Sequence, residues 1–318
     1  MKKEISVFSS FNRNSAIDVN IGTHSGIFHL DEVVAISLMN LYNDEQNVTV
    51  IRTRDPNELK KCHMLVDIGG GKFDHHQIGG NGKRENGPAY ASAGLVWKEY
   101  GEEIIIDLAE IAGFQLDDTQ IGNIFTTIDE MYIQPVDAID NGYKGDASLF
   151  EYITAFLPDW KSSNDNAFNE AFREAVTATT LILRKLITKT IEEEYSYCWI
   201  MSSLHANNDK IFELPAQTFP WNEPIIDYNA FHYNVVDFVI FPYPAGGWAA
   251  QCVPPSRDKI FEQRIPFPKE WAGQTTNLPQ ISGVLGATFC HNNCFFVRAS
   301  TKEAVTLMCK KAIEAFEE

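Results

Sequence analysis

The chain has 318 residues, 44% of them hydrophobic and 22% charged, and carries a net charge of -17. That length suits two domains, and the composition is that of a globular protein rather than a disordered or fibrous one. The acidic balance excludes a broadly basic surface that grips nucleic acid by counterion release, and no apolar run approaches the roughly 18 residues of a membrane span. Lys2 and Lys3 are followed by no apolar signal core or arginine-rich presequence, so a cytoplasmic protein is expected. Six scattered cysteines in a chain this large are expected as reduced thiols. Cys290-His291-x-x-Cys294 lacks the second pair that a structural zinc would need.

In chain order, residues 17–23 fit a short strand running into a loop, and 31–42 fit a helix with Val34, Leu38 and Leu41 at helical spacing. Residues 48–52 and 64–68 fit further strands, separated by a helical turn after Pro56. This alternation predicts a parallel sheet with functional groups at its carboxyl edge. Residues 79–87 have the composition of a mobile loop, and 90–100 and 119–134 are expected as helices. The acids between Glu102 and Asp118 are expected to form a solvated face. The longest helical pattern spans 164–197, as one helix or two, with Phe172, Val176, Leu183 and Ile191 near one stripe. Beyond it the alternation in 235–241 and 248–253 predicts strands, and 301–316 predicts a helix capped by Ser300 or Thr301. The expected domains are 1–198 and 199–318.

The chemistry-bearing residues concentrate early. His24, His29, His75 and His76 are four of eight histidines, and they sit with Asp31, Asp67 and Asp74 just after short apolar runs. Imidazoles and carboxylates gathered at strand ends are a common way to hold divalent ions near a substrate. Taken singly, Asp31 reads equally well as a helix cap, and Asp140-Asn141-Gly142 as a turn. Arg52 and Arg54, two apart at one strand end, point to the same face, where they would bind phosphate or pair with Asp55 or Glu58. Trp221, Trp248 and Trp271 are expected in the core rather than stacked on bases.

Asp74-His75-His76, together with His24, Asp67, Asp137 and Asp140, resembles the DHH phosphoesterase superfamily. Ile21-Gly-Thr-His-Ser-Gly-Ile-Phe-His-Leu-Asp-Glu32, Arg52-Thr-Arg-Asp-Pro56, Phe73-Asp-His-His-Gln77 and Asp137-Ala-Ile-Asp-Asn-Gly142 narrow the resemblance to the melanocyte proliferating gene one family. Trp248-Ala-Ala-Gln-Cys-Val-Pro254 and Arg264-Ile-Pro-Phe-Pro268 extend it toward the C-terminus.

The resemblance implies an α/β protein whose DHH phosphoesterase-like, parallel-sheet N-terminal domain faces a smaller α/β C-terminal domain across a cleft. It implies two divalent cations, Mn²⁺ or else Mg²⁺, held by His24, His29, Asp31, Asp67, His75 and Asp140, with Asp67 between them. Asp67, Asp74, His75 and His76 are the implied catalytic group, with His76 touching phosphate and Asp74 orienting a neighbour. Arg52, Arg54, His76, Arg264 and His291 are the implied substrate contacts. His29 stands where the superfamily's first motif carries an aspartate, one residue later than usual. The implied activity is metal-dependent phosphodiester hydrolysis, as a 3'-to-5' exonuclease on RNA or single-stranded DNA. The alternatives are a phosphoesterase for pyrophosphate, oligonucleotides or cyclic dinucleotides, and a non-catalytic metal-binding protein.

Overall fold

The structure, a computed structural model, describes residues 5–11, 19–42, 46–85, 87–143, 147–161, 164–205, 209–232 and 235–318. The chain divides into two compact units, Met1–Ile191 and Glu192–Glu318. The division falls inside one 41-residue helix, α7 (Asp165–His205), where the sequence left one helix or two open.

The first unit holds a four-stranded parallel sheet of β1 (Ile5–Phe8), β2 (Val19–Thr23), β3 (Val48–Arg52) and β4 (Met64–Leu65), in the order β1-β3-β2-β4. β3 is buried along its whole length, as parallel strands covered on both faces are. Positions 17 and 18 of the expected second strand lie outside the described residues. The strand expected over 64–68 leaves its ladder after Leu65: Val66 makes a lone bridge to Phe73, and Asp67 turns away with φ of 59°. β1 was not anticipated, because four residues with one serine carry little periodic signal.

Helix α1 (Leu30–Tyr42) follows β2, and α2 (Pro56–Leu59) is the turn after Pro56, capped by the Asp55 carboxylate. Helix α3 (Ser92–Ala112) runs twelve residues beyond the expected end at Tyr100. Ile104, Ile105, Leu108 and Ala109 continue its buried face, while Glu102, Glu103, Asp107 and Glu110 occupy the solvent face. The acidic run is therefore the outer surface of an amphipathic helix, ended by Gly113 in the left-handed region. The helix expected over 119–134 is α4 (Asp118–Ile128) followed by a π-helical turn (Asp129–Ile133), and α5 (Gln134–Asp140) carries the helical path on beyond it. The wider turn lies just before Pro135, which has no N–H to give an ordinary helical ladder. Helix α6 (Ala147–Thr154) leads toward α7, whose Phe172, Val176, Leu183, Ile187 and Ile191 enter the core of this unit.

The second unit contains a mixed sheet of β5 (Ile211–Glu213), β6 (Phe238–Pro242), β7 (Trp248–Cys252), β8 (Ala287–Cys290) and β9 (Phe296–Ala299), in the order β5-β6-β7-β9-β8. Only β5 and β6 pair in parallel. Period-two alternation divides its core. Phe238, Ile240, Ala250 and Val297 pack with Val305, Met308 and Cys309 of α10 (Lys302–Glu317). Val239, Phe241 and Ala249 pack with Ile225 and Ile226 of α8 (Asn222–Phe231). Thr301 caps α10 by accepting the Ala304 N–H. A short helix, α9 (Leu278–Ser282), precedes β8. Trp221 and Trp271 are buried in these cores, and all six cysteines are free thiols.

Two glycines test the packing with opposite signs. A Cβ on Gly94 would lie 1.9 Å from Asp137 Oδ2, so Gly94→Ala is expected to destabilise the protein by about 1–3 kcal/mol in denaturant unfolding. Gly122, exposed in α4 with open space around it, should gain about 0.5–1 kcal/mol as Gly122→Ala.

Candidate metal centre

The carboxyl edge of the parallel sheet collects the residues singled out by sequence. His24 follows β2, Arg54 lies two residues past β3, and Asp67 lies two past β4. Asp31 and Glu32 occupy the first turn of α1, and Asp140 ends α5. A cavity of about 790 Å³ opens here, lined by His24, His29, Arg54, Asp67, His75 and Asp140 among others.

Asp67 lies at the centre. Its Oδ2 is 3.3 Å from His24 Nε2, and its Oδ1 is 3.4 Å from His75 Nε2 and 3.2 Å from His76 Nδ1. His75 Nε2 also lies 3.0 Å from Asp140 Oδ2. Three groups of side chains could each hold an ion: His24 with His29 and Glu32, Asp67 with His75 and His76, and Asp31 with His75 and Asp140. The six residues expected as ligands thus converge, joined by His76 and by Glu32.

Glu32 is the residue that sequence reasoning missed. Its Oε1 accepts the His29 backbone N–H at 2.9 Å, one half of a capping box, and stands 3.0 Å from His24 Nε2. The available signal was its spacing: three residues past His29, a glutamate on the first turn reaches back to the histidine's side of the helix. Asp31 is both things the sequence offered. It points into the site, and it caps a helix, but that helix is α3: its two oxygens accept the Ser92 and Ala93 N–H groups at 2.9 and 2.7 Å.

Electrostatics follow from this crowding. Asp31, Glu32 and Asp67 are all buried. Burial, with the charges of Asp67 and Asp140 nearby, holds the Asp31 carboxyl well above its usual range. Burial would raise Asp67 too, but hydrogen bonds from His24 and His75 outweigh it and hold that carboxyl far below its usual range. Burial would lower His24, yet Asp67 and Glu32 raise it to about 10. Asp140, then Asp67, raise His75 to about 10 against its own burial. Two imidazolium ions thus stand where carboxylates demand positive charge.

The donors fit divalent cations. Glu32 Oε2 is buried with no hydrogen-bond partner among the described residues, and His75 Nε2 faces the carboxylates of both Asp67 and Asp140. A set of buried carboxylates with imidazoles is the chemistry that Mn²⁺ accepts, whereas Mg²⁺ favours oxygen and water.

The other expected site residues separate. Asp74 accepts the Gly70 N–H with Oδ2, and its Oδ1 meets the backbone N–H and Nδ1 of His76, each at 3.0 Å. Asp74 therefore orients His76, whose side chain is 63% exposed. Arg54 is exposed at the cavity and makes no ion pair among the described residues. Arg52 corrects the expectation: it is 1% exposed, between the Phe28 and Phe172 rings, and donates to the Gly26 carbonyl at 2.7 Å and to Asn169 Oδ1. The strand ends at Arg52, so the alternation that would have turned both arginines to one face stops between them. Arg52 braces the His24–His29 loop instead of facing the cavity. In the second unit, Arg264 pairs with the buried Asp237 at 3.2 Å. His291 Nδ1 accepts the Asn293 N–H at 3.1 Å. No metal-holding group among the described residues includes Cys290 or Cys294.

Residues 20–313 match the family model MYG1_exonuc, described as Uncharacterised protein family (UPF0160). The chain belongs to this family. Among its relatives, the protein named MYG1 exonuclease of Mus musculus is 28% identical over 92% of this chain and 84% of its own length. The MYG1 exonuclease of Homo sapiens is 26% identical over 92% and 85%. The MYG1 protein of Chlamydia trachomatis is 29% identical over 92% and 97%. The solved structure of RecJ in complex with Mn²⁺ from Thermus thermophilus aligns with 93% of this chain and 52% of that one, at 12% identity. Its TM-score of 0.24 is too low to carry an argument.

The raised imidazoles give a prediction with a definite sign. In the cation-free protein His24 and His75 keep their protons at pH 7. Their stabilising contribution is full below about pH 6.5 and fades as pH rises toward about 10. A divalent cation held here would displace these protons, so its affinity should rise about tenfold per pH unit for each proton released. Titration calorimetry at pH 7 in buffers of different ionisation enthalpy checks this, and heats that do not change with buffer would contradict it.

Proposed function

We propose that this protein is a divalent-metal-dependent phosphodiester hydrolase, acting as a 3'-to-5' exonuclease on RNA or single-stranded DNA. The observation that carries the reading is Asp67, a buried carboxylate within reach of His24, His75 and His76 at the end of a parallel strand. Membership of a family whose relatives bear the name exonuclease supports it.

In this reading His24, His29, Glu32, Asp31, Asp67, His75 and Asp140 hold two cations, with Mn²⁺ the fitting ion. When bound, such ions supply Lewis-acid activation of a phosphoryl group and of the attacking water. The chain's own residues do the rest. Asp67 would contribute its buried carboxylate to holding the cations. Asp74 accepts from the backbone and Nδ1 of His76, so the exposed ring presents its other nitrogen to a non-bridging phosphate oxygen. Arg54 is the cation at the cavity, shaped for a second phosphate contact.

A second reading is favoured by one observation. Among the described residues lining the cavity Arg54 is the single lysine or arginine, and the chain's net charge is -17, which repels long polyanions outside the site. Short substrates such as dinucleotides or pyrophosphate suit that balance.

The deciding assay offers purified protein with Mn²⁺ single-stranded RNA, single-stranded DNA, dinucleotides and pyrophosphate in parallel. Stepwise shortening from the 3' end is the expected result. Release from dinucleotides alone selects the second reading, and inactivity on all four sinks both. Asp67→Asn, which suits the left-handed backbone at this position, should keep the fold but abolish turnover and weaken Mn²⁺ binding. His76→Ala should retain Mn²⁺ binding and lower kcat. Released cations in that variant would make His76 a ligand instead.

A further inference from the structure

The loop after His76 was expected to be mobile, yet it carries one of the most enclosed cations in the first unit. Arg84 is 8% exposed. Its Nε donates to Asp129 Oδ2 at 2.7 Å, and its terminal nitrogens reach Asp129 Oδ1 at 2.5 Å and Asp137 Oδ2 at 2.6 Å. The guanidinium also lies over the Tyr90 ring, 4.4 Å from its centroid. The loop folds back to present it: Lys83 bridges Ala89, and Tyr90 N–H donates to Gly82 O.

Both acceptors lie on the path to Asp140. Asp129 opens the π-helical turn and is held further by Gln134 Nε2 at 2.9 Å. Asp137 sits one turn before Asp140 on α5, and its other oxygen accepts the Gly94 N–H at 2.9 Å. Asn141 closes the same seam by donating to the Ala89 carbonyl. One guanidinium therefore ties the segment leaving His75–His76 to the helix that ends in Asp140. The ordinary reading is a structural ion pair. It does not account for the arrangement, because a planar fork grips two carboxylates that flank a π-helical turn, next to a residue 3.0 Å from His75.

We propose that Arg84 is a positioning residue for the metal centre: by clamping Asp129 and Asp137 it sets α5, and with it the placement of Asp140 beside His75. The metal consequence rests on the reading of the function above, whereas the clamp itself does not. Lysine cannot replace it, since one ammonium cannot span both carboxylates in a fixed plane.

The test compares Arg84→Ala, Arg84→Lys and Asp129→Asn with the wild type and with Lys83→Ala, an exposed neighbour expected to change nothing. The first readout is amide hydrogen exchange in cation-free protein. Exchange across 134–141 should quicken about tenfold or more in the three clamp variants, while the β2 and β3 amides hold their protection. Low-millimolar guanidinium should slow it again in Arg84→Ala only, by refilling the vacated space. The second readout is Mn²⁺ titration, in which one of two affinities should fall about tenfold or more, with the other unchanged. Should Arg84→Ala not fold, Arg84→Lys and Asp129→Asn carry the same test. Unchanged exchange across 134–141 in the folded variants overturns the clamp. Quickened exchange with both affinities intact overturns its role at the metal centre. A wild type that binds no Mn²⁺ speaks against the functional reading, and the exchange result still decides the clamp.

Discussion

Buried negative charge is the constraint around which the first unit is arranged. Asp31, Glu32 and Asp67 sit out of water within one site, with Asp140 at its margin. Carboxylates in such a setting repel one another and lose hydration, a cost that persists unless positive charge or donated hydrogen bonds offset it. The fold provides both. Two histidines hold protons they would otherwise shed, and the first amides of α3 point at Asp31. Divalent cations would provide the same compensation with more charge in less space.

The strain in this site has the same origin. Asp67 adopts a left-handed backbone that aspartate tolerates better than most residues. Its N–H is occupied by the Phe73 carbonyl, so the conformation is held by the chain's return toward His75 and His76. The strand stops early for the same reason, since another residue of regular ladder would carry Asp67 away from His24.

Much of this was legible in the sequence. The strand ending at Arg52, the helix after His29 and the cap at Thr301 follow from periodicity and end signals, which local chemistry fixes. His24, Asp67 and His75 stood out because they follow short apolar runs, whereas Asp140 came in only with the family resemblance. What failed to show depended on distant partners. Arg52 looks like a surface phosphate binder until Phe28 and Phe172 close over it. Arg84 looks like a loop charge until the π-helical turn brings Asp129 to it. Glu32 was hidden by a different ambiguity, since an acid in a first helical turn needs no partner beyond the helix dipole. The length of α3 was missed because its acids were read apart from the isoleucines between them.

The double service of Asp31 bears on how any experiment on this centre is interpreted. Its oxygens face the site and also seat the first turn of α3, which packs along α1 in the core. Removing that carboxylate would strip two buried amides of their acceptor at the same moment as it removed a proposed ligand. Loss of function in an Asp31 variant is thus ambiguous evidence about coordination. Asp140 has His75 as its side-chain partner, and its side chain stays partly open to solvent. Among the described residues no backbone amide depends on that side chain in the way that Ser92 and Ala93 depend on Asp31. An Asp140 variant therefore separates the proposed coordination from helix capping more cleanly.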